Sequence, residues 1–212
     1  MAGSPRVSAG KAPALDPRRA ATRGRVVEEA TKLFSHYGFR LTSVDAIAQA
    51  AGCAKPTLYA YFPDKDAIFI AVCEHVLNGI LEQAEAGRAI KGDLEDRLSA
   101  VLSAKYTRLL ELVHISPHSA ELLGSSNRVA AKLVEDADRK FASLLRDILS
   151  EAIEAKEIDP ARAGLTLPRL VEVLLRCGYG AGYHVTEAAQ HKRNLEELVR
   201  VVVAALRKTK RA

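Results

Sequence analysis

Tryptophan is absent from this chain of 212 residues, methionine occurs once, and aromatic residues make up only 5% of it. What fills the sequence instead is Ala, Leu, Val, Glu and Arg, a composition that favours helices over sheets. No apolar run comes near eighteen residues, which predicts that nothing spans a membrane. The first residues lack the apolar centre of a secretory signal. The three cysteines, Cys53, Cys73 and Cys177, are far apart, odd in number and never in a C-x-x-C pair. That usage suits a reducing, cytoplasmic setting without a disulfide framework. The length allows one domain or two and a substantial core.

Charge is unevenly placed. Residues 1–65 hold ten Lys/Arg against five Asp/Glu, whereas residues 66–212 hold twenty-one of each, so the whole net charge of +5 sits in the first third. A basic segment of that kind is the electrostatic footprint of a phosphate-binding surface; a solubilising tail would give the same count.

The same third carries the most informative stretch, Thr42 to Lys65, TSVDAIAQAAGCAKPTLYAYFPDK. Val44, Ile47, Ala48 and Ala51 fall at helical spacing and predict a short helix with one apolar stripe. Thr42 and Ser43 precede it, where a hydroxyl can accept an unpaired backbone N–H. Gly52 can take the left-handed conformation that ends a helix, and Pro56 suits the first turn of the next one. Leu58 and Phe62 point back to the stripe, leaving Lys55, Thr57, Tyr59 and Tyr61 outward. Helix, glycine turn and second helix with a polar, aromatic outer face make the helix-turn-helix pattern of a DNA reader.

The run GFRLTSVDAIAQAAGCAKPTLYAYFPDKDAIF, Gly38 to Phe69, resembles the DNA-binding signature of TetR-family transcriptional regulators. Gly38, Thr42 with Ser43, Ile47 with Ala48, Ala51 with Gly52, Leu58 with Tyr59, Phe62 and Lys65 carry the resemblance, which covers about the first third of the chain. Two positions depart from the family pattern: Ala54 stands where a Ser or Thr often caps the second helix, and Cys53 where a Val is usual. Chemistry and matching positions together assign the DNA contacts. Lys55, Pro56, Thr57 and Tyr59 would meet base edges. Thr42, Ser43, Tyr59, Tyr61 and Lys65 would mostly hold phosphates, which set register without reading sequence. Asp45 either faces away or accepts from a cytosine amine.

The remainder reads as all-α: an N-terminal three-helix helix-turn-helix domain and a C-terminal helical domain for ligand binding and dimerisation. Residues 1–17 read as a disordered basic arm. Residues 18–65 form the DNA-binding domain, with Arg18, Arg19, Arg23 and Arg25 leading into a helix with the stripe Val27, Ala30, Leu33 and Phe34, closed by Gly38. Residues 66–212 form the second domain. A fourth helix from about residue 65 to Gly87 links the two, and Asp93 caps a fifth. The segment HISPHSAELLGSSN is a short helix between loops. A long amphipathic helix runs from about Arg128 to Lys156, with Val129, Leu133, Phe141, Leu144, Leu145, Ile148 and Ile153 inward. Two more follow at roughly 161–183 and 186–208, with Pro168 in a first turn or at a kink.

Small residues at Cys177, Gly178, Gly180, Ala181 and Gly182, and the apolar band Leu195, Leu198, Val199, Val202, Val203 and Leu206, suit a homodimer built from the last two helices, as the resemblance also implies; the same stripes would serve the subunit's own core. Two reading heads on a two-fold axis, about 34–36 Å apart, meet successive major grooves of a palindrome. A largely apolar small molecule would sit among the fourth helix through the penultimate one. Tyr106, His114, His118, Asn127, Arg176, Tyr179 and Tyr183 are the candidate polar lining. The mechanism implied is a population shift in which ligand displaces the fourth helix and weakens operator binding.

Other chemistry finds little support. Gly178, Gly180 and Gly182 follow a helix rather than a strand, unlike a nucleotide loop. His114 and His118 have metal-compatible spacing, but Pro117 interrupts the helix that would align them. No cofactor, metal site or Ser/His/Asp constellation is expected, and so no enzyme. A small helical enzyme with a vestigial motif, and a DNA-coating protein without sequence preference, are the competing readings.

Overall fold

The computed structural model of the protein describes residues 17–115 and 128–207, with the side chains of 111–115 and 128 outside that description. The expected arm, the segment between the fifth helix and the long amphipathic one with His118 and Asn127, and the side chain of His114 therefore lie outside the described residues.

Helix α1, Pro17–Leu41, bends at Gly38 (φ 80°, ψ 162°). It is followed by α2, Val44–Ala50, α3, Lys55–Tyr59, α4, Lys65–Arg88, and α5, Leu94–Ile115. Then come α6, Arg128–Glu154, a 3₁₀ turn at Pro160–Ala163, α7, Leu167–Gly180, and α8, Ala188–Leu206. No strand forms among the described residues; one isolated bridge pairs Ile158 with Arg207.

Two apolar cores organise these helices. The first joins Val26, Ala30 and Phe34 of α1, Ile47 and Ala48 of α2, Leu58 of α3, Phe62, and Ile68, Phe69 and Val72 of α4. The second joins Ala84 of α4 to Leu98 and Leu102 of α5, Phe141, Leu145 and Ile148 of α6, Leu170 and Leu174 of α7, and Leu195 and Val199 of α8. Helix α4 contributes to both, so a shift of α4 is felt in each core. Ala130 and Leu133, at the start of α6, pack on the first core and give a second tie between head and body.

Local chemistry fixes α4. The Asp64 carboxylate accepts the Ala67 N–H at 2.7 Å, an N-cap that satisfies one of the orphan donors of the first turn. Asp64→Ala is expected to cost about 1 kcal/mol of stability, within the usual range for a lost cap, as measured by urea unfolding. At its far end Arg88 pairs with Asp147 and Glu151 of α6, and Arg97 of α5 pairs with the same Glu151. The hydrogen bonds from Arg97 and then Arg88 hold the Glu151 carboxyl below its ordinary range.

Several expectations need correction. Helix α1 begins at Pro17, so Arg18, Arg19, Arg23 and Arg25 are helical residues rather than a lead-in; a proline at the first helical position starts a helix well. By length and composition Lys65–Arg88 is apolar enough to cross a membrane, so the reading that no stretch approaches such a span does not hold. Its buried residues are shared between the two cores. Val129 is 52% exposed rather than inward, because Ala130 and Leu133 take the inward stripe. The helix expected over 161–183 is two elements: Gly164 (φ 66°) ends the 3₁₀ turn, and α7 starts afresh with Pro168 in its first turn.

His191 of α8 is 2% exposed, and neither ring nitrogen has a hydrogen bond of good geometry. Burial holds its pKa below the ordinary 6.5, with a weaker opposing influence from the Gly178 backbone. The unfolded chain therefore binds the proton first as pH falls. Stability is expected to drop as pH decreases through about 6.5 toward the folded value, and His191→Gln should flatten that slope in thermal melts.

Candidate nucleic-acid interface

The α2–α3 unit is set by its turn. Gly52 adopts φ +62°, the left-handed conformation that favours glycine, and lets the Cys53 N–H reach the Ala48 carbonyl at 3.0 Å. Ala54 then caps α3 without a side-chain hydrogen bond, as an alanine must, and Pro56 occupies the first turn. Leu58 is fully buried and Phe62 nearly so, which fixes the face α3 turns inward. Lys55, Pro56, Thr57 and Tyr59 are left exposed together on the other face. These four, expected at base edges, do form one outward surface.

Of the residues expected at phosphates, the structure separates those that are available from those already engaged. Ser43 is exposed; its Oγ accepts the Ala46 N–H at 3.1 Å as the N-cap of α2, leaving its hydroxyl hydrogen for an outside acceptor. Thr42 is different: it is 3% exposed and donates to the Gly38 carbonyl at 2.8 Å, so it shapes the α1–α2 corner rather than facing a phosphate. Lys65 likewise donates to the Thr42 carbonyl at 2.8 Å, its ammonium lying 4.4 Å from the centre of the Phe39 ring. It clamps the same corner. Tyr61 is half-buried beneath the Arg19 guanidinium, 5.6 Å from its ring centre.

Asp45 finds its partner on the neighbouring helix. Its carboxylate binds the Lys55 ammonium at 2.9 Å, and that hydrogen bond raises the lysine's pKa. The pair ties the start of α2 to the start of α3. Position alone could not reveal this partnership, ten residues apart in sequence.

The arginines of α1 also have structural roles that the sequence reading missed. Arg25 donates to the Ala51 carbonyl at the end of α2, and the Arg23 guanidinium lies 5.1 Å from the centre of the Phe62 ring. The available signal was Pro17 followed by strong helix formers. Arg40, exposed in the last turn of α1, adds a cation to the surface that no motif position had singled out.

In the body, a cleft of about 760 Å³ opens among α4, α5, α6 and α7. Leu77, Leu81, Leu109, Phe141 and Leu175 make it largely apolar, and Lys105 pairs with Asp138 at 2.8 Å on its wall. Tyr106, Arg176 and Tyr179 of the expected polar lining do border it. The Tyr106 hydroxyl is already donated to the Leu175 carbonyl at 2.7 Å, and burial raises its pKa. Gly178 permits this arrangement, since a Cβ there would lie 2.5 Å from the tyrosine ring. Tyr183 is 77% exposed and does not line the cleft; His114, His118 and Asn127 fall outside the described side chains.

On the last two helices Leu195, Val199, Val203 and Leu206 are buried in the subunit's own core. The band left outward is therefore narrower than the sequence suggested: Val201 at 68% exposure, with Cys177, Gly180, Ala204 and Ala205. Among the described residues no group of His, Cys, Asp and Glu is placed to hold a metal ion.

Comparisons with known proteins agree with this geometry. Residues 26–72 match the family of bacterial regulatory proteins, tetR family. The fatty acid metabolism regulator protein of Bacillus subtilis (strain 168) is 24% identical over 134 residues, 63% of this chain and 69% of that protein. A TetR transcriptional regulator from Chloroflexus aurantiacus J-10-FL superposes with a TM-score of 0.72 at 19% identity, covering 92% of this chain and 100% of the other. The regulator FadR from Bacillus subtilis, solved with stearoyl-CoA, superposes with a TM-score of 0.61 at 21% identity, over 85% and 95% of the two chains.

Proposed function

The chain belongs to the TetR family of bacterial regulatory proteins, and from that premise we propose that it is a cytoplasmic, homodimeric repressor that releases a palindromic operator when a small molecule fills its α4–α7 cleft. The observation that carries this reading is the exposed row Lys55, Pro56, Thr57 and Tyr59, held outward by a fully buried Leu58 on a head whose fourth helix also borders the cleft.

Thr57 and Pro56 offer apolar contact to thymine methyls, and Lys55 donates to guanine acceptors. Ser43, Tyr59 and Arg40 hold phosphates, and Thr42, Lys65 and Tyr61 act indirectly by fixing the corner from which α3 projects. Two copies joined along α7 and α8 would set two α3 helices on one face of the duplex.

The apolar walls of the cleft, with the Lys105–Asp138 pair and Arg176 at its edge, suit an effector with a hydrocarbon body and one polar end. That class agrees with a relative concerned with fatty acid metabolism and with a structural neighbour holding stearoyl-CoA. Because α4 lines the cleft and builds the head's core, a ligand preferring a displaced α4 changes the separation of the two heads.

Selection from a random duplex library is expected to recover a two-fold-symmetric sequence with half-sites about one helical turn apart; recovery of no preferred sequence contradicts the proposal. Compounds that raise the melting temperature by filling the cleft should lower operator affinity. The operator should then lower their affinity by the same factor, because linkage is reciprocal.

A further inference from the structure

A second cleft, of about 710 Å³, opens where the head meets the body. Its described lining comes from four helices: Thr31 on α1, His75 on α4, Ser103, Thr107 and Arg108 on α5, and Lys192 on α8. It uses a different face of α5 from the apolar cleft: at about 100° per residue, Ala100, Ser103, Ala104, Thr107 and Arg108 centre roughly half a turn around the helix from the centre of Lys105, Tyr106 and Leu109.

The chemistry of the two clefts differs. In the second one no Asp or Glu appears among the described lining, while His75, Arg108 and Lys192 bring cationic or donor groups from three helices. Lys192 forms no ion pair with any described residue. The Ser103 and Thr107 hydroxyl oxygens, one helical turn apart on the same face of α5, are buried and have no hydrogen-bond partner. Buried hydroxyls are ordinarily satisfied, and an unmet one carries a desolvation cost that an acceptor from outside would relieve. Donors on the floor, cations at the rim and no carboxylate in between describe a site for an anion.

We infer that this cleft is a second effector site, taking a small oxyanion-bearing metabolite, phosphate or carboxylate. The Ser103 and Thr107 hydroxyls donate to the ligand, His75 offers a ring N–H, and Lys192 holds its charge. Thr31 belongs to α1 and Lys192 to α8, so a bound anion joins head to body across α5. Its effect on operator release rests on the repressor reading above; its binding does not.

Calorimetric titration of the full chain, without DNA, tests the site with inorganic pyrophosphate and with citrate as probes. One probe or both should bind with one site per chain, pyrophosphate alone marking a phosphate ligand and citrate alone a carboxylate one. Lys192→Glu, and the double variant Ser103→Ala with Thr107→Val, should each weaken that binding at least about tenfold, with melting temperatures no lower than the parent's. Lys55→Ala should leave it unchanged. The inference is overturned if neither probe binds or if both cleft variants bind as the parent does. It is also overturned if Lys55→Ala abolishes the heat, which would mark an adventitious anion on the DNA face. Because no duplex is present, none of these outcomes bears on operator recognition.

Discussion

Replacing Lys55, Thr57 and Tyr59 together by alanine is expected to lower operator affinity at least about a hundredfold at fixed salt, since a good base-edge contact alone is about a tenfold effect or more. All three side chains are exposed, so the thermal midpoint should stay close to the parent's. Fluorescence anisotropy on a selected operator reads the first effect and a thermal melt the second. The salt dependence discriminates further: losing Lys55 should make affinity fall less steeply with salt if the lysine also neutralises phosphate. A triple variant that binds its operator as the parent does would leave α3 without a reading role. Lys65→Ala belongs to a different class. Its ammonium is spent on the Thr42 carbonyl and the Phe39 ring, so its effect should appear in stability as well as in binding.

Phe34→Ala is expected to have the largest effect on stability, a loss of about 3–5 kcal/mol. Phe34 is fully buried in the head and packs against Phe39 and Phe69, with ring centres 5.5 and 6.1 Å away. Phe69 lies on α4, so the cavity left by truncation would undermine both the seat of α3 and the helix that leads to the body. Urea unfolding should show the lower midpoint. Operator binding should fall with it, although Phe34 is fully buried, with no surface to offer DNA. A loss below about 1 kcal/mol would mean that the head tolerates the cavity by collapsing around it.

What the sequence made legible and what it hid divide along physical lines. The α2–turn–α3 unit was readable because its determinants are local: an apolar stripe at helical spacing, a glycine that takes φ +62°, and a proline in the next first turn. The same is true of the Asp93 cap, whereas the Asp64 cap of α4, equally local, went unread. Partnerships across elements were not readable. Nothing in the run from Thr42 to Lys65 tells that the threonine hydroxyl turns inward to Gly38 or that Lys65 is drawn to the carbonyl of Thr42. For Asp45 the sequence left two roles open, facing away or accepting from a cytosine amine, and pointed to neither the pairing with Lys55 nor its place between α2 and α3. In the body, helix spacing gave the inward faces of α6 in large part, yet a one-residue choice between Val129 and Ala130 depended on where the head lay. Candidate lining residues chosen for polarity fared unevenly. Tyr106, Arg176 and Tyr179 reach the cleft while Tyr183 does not, because α7 ends at Gly180 and the chain turns away. The second cleft had no sequence signature at all: its donors come from four helices and from residues that individually look like ordinary surface.

The central claim is that α3 discriminates one sequence from others, and the affinity ratio measures it most directly. At one salt concentration near physiological, the selected operator should bind at least about a thousandfold more tightly than a scrambled duplex of equal length and composition. Equal affinity for the two would contradict the account and leave only a basic surface that coats DNA.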